Sequence, residues 1–141
     1  MLVQRDTYFE VPSGRLKLRE ESHAAPHLIS YQRPDESDQR ESCYRIVEVK
    51  QAGELIAALG SNLGVKVVVE KKRQLFLWHG VRIHLDLVET LGSFIELEAI
   101  VAAGSDLSRE QRQVEALRGE FGLANAGLVA GSYSDLILAS R

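Results

Sequence analysis

Acidic side chains alternate with apolar ones along two neighbouring stretches in the second half of the chain. Asp86 follows Arg82 and His84 in such a run, and Glu96 and Glu98 alternate with Leu and Ala farther along. Successive side chains of a strand point to opposite faces, so each polar set lies on one face of its strand. An antiparallel hairpin would bring the three carboxylates onto one surface. They repel one another there unless a cation or basic groups offset them, or unless the surface is simply a solvated outer face of a sheet.

Basic side chains show the same alternation on other predicted strands. The set comprises Lys17, Arg19, Arg33, Lys71, Arg73 and Arg82. An exposed edge protected by charge would account for any one of these strands. A sheet closed into a barrel would instead gather the cations in one interior, where they need an anion. Polyphosphate suits such a site because Arg and Lys both bind phosphate oxygens, and the carboxylates could then bind Mg²⁺ or Mn²⁺.

The bulk composition restricts the class of protein. The chain has 141 residues, 45% apolar and 26% charged, which predicts a single domain over residues 1–141 with a real core. The formal charge of -3 argues against nucleic-acid binding. Cys43 is the only cysteine, which excludes an intramolecular disulfide framework and a Cys-rich zinc site. The sequence has neither a run of about 20 apolar residues nor the apolar core of a signal peptide, so we expect no membrane partner and a cytoplasmic location.

Periodicity predicts a mainly β protein with peripheral and C-terminal helices. The strands are predicted at residues 1–12, 15–19, 28–33, 42–49, 65–77, 81–87 and 94–99. Apolar spacing predicts helices at 51–59, after Ser108, and within 128–139. Ser108 and Gln111 match a capping box, and residues 23–26 read as a loop.

Several of these segments together resemble the CYTH domain family, which includes class IV adenylate cyclases, thiamine triphosphatases and related triphosphate tunnel metalloenzymes. The similarity covers nearly the whole chain through RDTYF, GRLKLRE, LISYQRP, VVVEKKRQLF, VRIHLDLVETLGSFIELE and GSYSDL. It implies an antiparallel eight-stranded barrel whose tunnel binds a triphosphate, with a divalent metal, Mg²⁺ or Mn²⁺, on acidic residues.

The resemblance also implies roles for individual residues. The phosphate ligands implied are Lys17, Arg19, Arg33, Lys71, Arg73 and Arg82. The implied metal ligands are Glu96 and Glu98, and Asp86 occupies an acidic position of the same motif, as a ligand or as a support for one. The family's Glu-x-Glu-x-Lys strand is not found near the N-terminus of this sequence, so we expect a truncated or degenerate member. A barrel that lacks a strand would have open edges that could pair with a second copy of the chain.

Three functions stay open on the sequence. The first is metal-dependent hydrolysis of an organic or inorganic triphosphate, such as thiamine triphosphate or tripolyphosphate. The second uses the same tunnel as an adenylate cyclase that forms cyclic AMP from ATP. The third is a non-catalytic module that binds polyphosphate or nucleotides. We expect an enzyme, with hydrolysis first.

Overall fold

The computed structural model describes residues 1–32, 43–123, 127–129 and 131–141. Its elements are β1 (Leu2–Phe9), β2 (Arg15–Glu21), β3 (Ala24–Gln32), β4 (Cys43–Glu48), α1 (Ala52–Leu63), β5 (Val65–Trp78), β6 (Val81–Val88), β7 (Gly92–Ala99), α2 (Ser108–Glu120) and α3 (Tyr133–Ala139). The predicted mainly β fold is therefore confirmed. Within these residues no helix is long and apolar enough to cross a membrane.

The described strands form one antiparallel sheet in the order β4-β3-β2-β1-β5-β6-β7. The sheet is not closed, and β4 and β7 are its two edges, which is consistent with a tunnel fold that has peripheral helices. The sequence predicts eight strands in a barrel, and the described part of the chain forms seven strands in one open sheet.

Register assigns alternate residues to two faces of the sheet. Asp6 pairs with Arg19 on one side and with Val69 on the other. Arg73 pairs with Asp86 between β5 and β6. We call the face that carries these charges the groove face and the opposite one the outer face. The period of two read from the sequence therefore sorted most residues correctly, because side chains alternate strictly along a regular strand.

The helices pack against different parts of the sheet. The helix α2 covers the outer face of β6 and β7, where Leu117 and Val114 pack with Val81, Ile83 and Leu97. The helix α1 contacts β1 and β2. At one end of the groove face, α3 inserts Ile137 into a cluster of Tyr8, Val67, Val69 and Val88. The groove is thus closed at that end by apolar packing.

Two local predictions were wrong. Residues 24–26 belong to β3 rather than to a loop, and the turn lies at Ser22 and His23. Pro26 is tolerated because the ladder shifts between Arg19 and Glu21, so a bulge leaves it without a hydrogen-bonding role toward β2.

The predicted capping box at the start of α2 is the second error. Leu107, in the left-handed conformation, is the N-cap, and its side chain makes no capping hydrogen bond. The Oδ1 atom of Asp106 accepts a hydrogen bond from the Ser108 backbone N–H at 3.0 Å. The capping box of the chain instead starts α3, where Ser132 and Asp135 bond reciprocally. Asp135 also accepts a 2.8 Å hydrogen bond from Arg15, which ties α3 to β2.

Candidate functional site

The groove face carries most of the residues that the sequence singled out. Lys17, Arg19, Lys71, Arg73, Arg82, Asp86, Glu96 and Glu98 all line a groove of about 1610 Å³. These eight residues lie on four strands, β2, β5, β6 and β7, so residues separated by up to 81 positions meet there. The remaining predicted phosphate ligand, Arg33, lies outside the described residues.

A buried aspartate on β1 anchors the two cations of β2. Asp6 is 2% exposed, and its carboxylate accepts hydrogen bonds from Arg19 Nε at 2.7 Å and Arg19 Nη2 at 2.6 Å. Lys17 Nζ donates to the same carboxylate at 2.9 Å. Burial alone would raise the pKa of Asp6, but the charges and hydrogen bonds of Lys17 and Arg19 outweigh it and hold the pKa well below its usual range. Asp6 is therefore ionised and holds both basic groups at the groove floor.

Lys71 is the exception among the buried cations. It is 7% exposed, and in the described part of the chain its ammonium forms no ion pair with a carboxylate. Its Nζ lies 5.2 Å from the centre of the Tyr133 ring, a cation–π distance. Burial lowers the pKa of Lys71, and the nearby charge of Arg73 lowers it further, to about 8. An anion placed beside Lys71 would relieve both effects.

Arg73 and Asp86 form a second buried pair across β5 and β6. Arg73 donates from Nε to Oδ1 of Asp86 at 2.7 Å and from Nη2 to Oδ2 at 2.6 Å. The Tyr133 hydroxyl donates to Oδ2 of Asp86 at 2.8 Å. Burial would raise the pKa of Asp86, but the bidentate Arg73 contact lowers it overall. Both oxygens of Asp86 are thus occupied by protein donors.

Glu96 and Glu98 lie on either side of a buried histidine. The Oε2 atom of Glu96 lies 3.2 Å from His84 Nδ1 and accepts from Arg73 Nη2 at 2.9 Å. The Oε2 atom of Glu98 lies 3.8 Å from His84 Nε2 and 3.4 Å from Arg82 Nη1. Burial would raise the pKa of Glu96, but His84 and Arg73 lower it to about 2. Its side chain is still 51% exposed, so this carboxylate is ionised and open to the groove.

These contacts test whether the acidic residues suit a divalent metal. Among the residues that the structure describes, no three His, Cys, Asp or Glu side chains are arranged to hold a metal ion. Mg²⁺, however, is commonly bound by one or two carboxylates together with substrate phosphates. The contacts of Glu96 and Glu98 use only Oε2, and both side chains are about half exposed. The pair therefore fits a metal ion that arrives with a phosphate ligand.

Sequence reasoning missed the importance of Asp6 and underrated two other residues. Asp6 alternates with Gln4 and Tyr8, which could have marked it as a groove-face residue. Tyr133 packs against the apolar cluster beside α3, and its hydroxyl donates a hydrogen bond to Asp86. His84 lies between the two candidate metal ligands.

The fold and the groove together define a class of protein: an antiparallel tunnel-type domain lined by buried Arg, Lys and carboxylate groups. The CYTH domain family model matches residues 1–133, and the chain belongs to that family. CYTH domains form a triphosphate-tunnel family and are generally metal-dependent.

Several solved structures share this fold. The PH1012 protein from Pyrococcus horikoshii OT3 superposes with a TM-score of 0.84 and 23% identity, over 96% of this chain and 83% of that one. The PH1819 protein of the same organism superposes with a TM-score of 0.76 and 25% sequence identity, over 99% of this chain and 85% of that one. A proposed adenylate cyclase from Vibrio parahaemolyticus superposes with a TM-score of 0.74 and 20% sequence identity, over 97% of this chain and 80% of that one. A search of curated proteins gave no significant match.

Proposed function

We propose that this CYTH domain binds the triphosphate group of a small molecule in its groove and hydrolyses it with the help of Mg²⁺ or Mn²⁺. The observation that carries the proposal is Lys71, a buried lysine whose ammonium forms no ion pair with a carboxylate among the described residues. A buried charge without a partner is unfavourable unless an anion completes the site. A polyphosphate would supply that anion.

The proposal gives the buried pairs a common purpose. Lys17, Arg19, Lys71 and Arg73 would contact phosphate oxygens, with Arg82 and Arg33 as further ligands. Asp6 and Asp86 would hold the arginines in fixed orientations, so little reorganisation is needed when phosphate arrives. Such preorganised cations also stabilise the charge that spreads over the phosphoryl oxygens in the transition state.

The carboxylates of β7 would take the metal. We propose Glu96 and Glu98 as its ligands and Asp86 as the residue that orients Arg73, because both Asp86 oxygens already accept protein hydrogen bonds. When bound, a divalent cation would neutralise phosphate charge and polarise the bond that breaks. His84 would keep the two glutamates apart and oriented.

Adenylate cyclisation is the second candidate. It is favoured by the structural similarity to a proposed adenylate cyclase, which shares this fold. In hydrolysis, water attacks the terminal phosphorus and the bond from that phosphorus to the bridging oxygen breaks, so the attacked group becomes orthophosphate and the diphosphate part of the substrate leaves. In cyclisation, the ribose 3′-oxygen attacks the α-phosphorus and diphosphate leaves. The same cations could serve either reaction, so the products must decide between them.

The test is product analysis with tripolyphosphate, thiamine triphosphate and ATP, each with and without Mg²⁺ or Mn²⁺. We expect metal-dependent release of orthophosphate, and cyclic AMP with diphosphate would favour the cyclase instead. Glu96→Gln and Glu98→Gln should each reduce turnover by at least tenfold while triphosphate binding persists. Glu70→Gln, at an exposed outer-face glutamate, is the matched control and should leave turnover unchanged.

Two outcomes would contradict parts of this proposal. Full activity in Glu96→Gln and Glu98→Gln would rule out these residues as metal ligands. Triphosphate binding without any turnover would indicate the non-catalytic binding module.

Pairing of two copies through the β4 and β7 edges stays a separate prediction, which light scattering would check.

A further inference from the structure

The groove face changes character on β3 and β4. Here the side chains that line the groove are Ile29 and Tyr31 on β3 and Ile46 and Tyr44 on β4, directly opposite one another in the register, while His27 and Glu48 continue the same face outside the groove lining. We call these four residues the aromatic wall. All four line the groove, but they carry no charge. The cations and carboxylates of the groove lie on β1, β2 and β5 to β7.

The wall presents apolar surface to the groove rather than to the core. Tyr44 is 56% exposed and Ile46 is 61% exposed, whereas their partners Tyr31 and Ile29 on the neighbouring strand are buried. The rings of Tyr31 and Tyr44 stack with centroids 5.3 Å apart and planes inclined by 29°. Tyr44 is thus an exposed ring supported by a buried one. Flat rings held in this way are typical platforms for the faces of other aromatic systems.

The wall is continuous with the cation site. Lys17 pairs with Ile29 between β2 and β3, and Lys17 Nζ lies 5.8 Å from the centre of the Tyr31 ring. Neighbouring strands are about 4.8 Å apart, so Tyr44 on β4 is two strand spacings, on the order of 10 Å, from Lys17 on β2. A molecule whose phosphates contact Lys17 and Arg19 could therefore reach the wall with its other end.

We propose that the aromatic wall is a subsite for the flat heterocycle of an organic triphosphate, with Tyr44 as its stacking platform. This inference rests on the proposed function, because the phosphates must occupy the cation site for the ring to reach Tyr44. Inorganic tripolyphosphate has no group that could use the wall. The subsite therefore assigns the domain to organic triphosphates that carry an aromatic ring.

The test compares ring-bearing and ring-free ligands by isothermal titration calorimetry without added divalent cation, so that turnover does not consume them. The probes are ATP, thiamine triphosphate and inorganic tripolyphosphate. Tyr44→Ala should weaken the tighter of the two ring-bearing ligands by about tenfold and leave tripolyphosphate unchanged. Tyr44→Phe keeps the ring and should bind like the wild type.

Phe76→Ala is the matched control. Phe76 is exposed to a similar extent but lies on β5 with Ile83 opposite it, on the outer face. It should not change the affinity for any of the three probes. Tyr44 lies on an edge strand and is exposed, so its replacement does not create a cavity in the core.

The outcomes separate the two proposals. Equal weakening of tripolyphosphate and the ring-bearing ligand by Tyr44→Ala would overturn the subsite, as would unchanged affinity for the ring-bearing ligand, and either result leaves triphosphate binding intact. Absence of binding by the wild type to all three probes would overturn the proposed function and the subsite with it.

Discussion

Replacing Lys71 with methionine should have opposite effects on folding and on ligand binding. The pKa of Lys71 falls from 10.5 to about 8, chiefly through burial. One pKa unit corresponds to about 1.4 kcal/mol, so keeping the amine charged lowers the free energy of unfolding by about 3 kcal/mol at neutral pH. Methionine has a similar shape and no charge. We expect Lys71→Met to raise the free energy of unfolding by about 1–3 kcal/mol at pH 7.

The same effect gives a pH dependence with a definite sign. Between about pH 8 and pH 10.5 the unfolded chain keeps the Lys71 proton that the folded chain has lost. The contribution of Lys71 to the free energy of unfolding therefore rises with pH across that window. It is lowest below pH 8, where Lys71 is protonated in both the folded and the unfolded chain. The rise should be missing in Lys71→Met. Urea denaturation followed by the fluorescence of Trp78, the single tryptophan, measures both quantities.

The same variant should bind its ligand more weakly, although it should be more stable than the wild type. A charge-assisted contact contributes about 1.5–3 kcal/mol, so Lys71→Met should weaken tripolyphosphate binding by roughly 10- to 100-fold. Lys66→Met is the matched control, because Lys66 is exposed on the same strand and does not line the groove. The reasoning is refuted if Lys71→Met lowers stability by more than 1 kcal/mol or binds tripolyphosphate as tightly as Lys66→Met.

Two further substitutions test the pairs that support the cations. Asp6→Asn leaves Lys17 and Arg19 without their buried carboxylate and should lower the free energy of unfolding by about 3–5 kcal/mol at pH 7. In the wild type the contribution of Asp6 is present above pH 3.8, its unfolded pKa, and is lost only as the pH falls through its lower folded pKa; an unchanged urea midpoint in the variant would contradict this. Tyr133→Phe removes the hydroxyl that donates to Asp86 and should lower the free energy of unfolding by about 1 kcal/mol, and equal stability of the two proteins would show that this bond contributes nothing.

The sequence was sufficient to predict most of the strands and to predict which side chains lie on the charged face of the sheet. Lys17 and Arg19 alternate with leucine, and Lys71 and Arg73 alternate with other residues at the same period. A period of two is a local property of a strand, so it can be read without knowing which strands pair. The groove face follows from it once the sheet is formed.

The pairing of charges could not be read in the same way. Asp6 meets Arg19 because β1 pairs with β2 in one register, and a shift of one residue would move it to the outer face. Asp86 could be recognised as a groove-face carboxylate, but its commitment to Arg73 and Tyr133 depends on β5 and on the distant α3. The start of α2 was misread because Leu107 adopts a left-handed conformation that its residue type does not favour.

The most direct test of triphosphate binding in the groove is the pKa of the Lys71 ammonium, measured by NMR with and without tripolyphosphate. Lys71→Met assigns the signal. In the free protein we expect a pKa of about 8, and bound phosphate should raise it toward or above its ordinary value, because an adjacent anion favours the charged form. If tripolyphosphate binds while the pKa of Lys71 stays near 8, the phosphates lie elsewhere and the central claim is wrong.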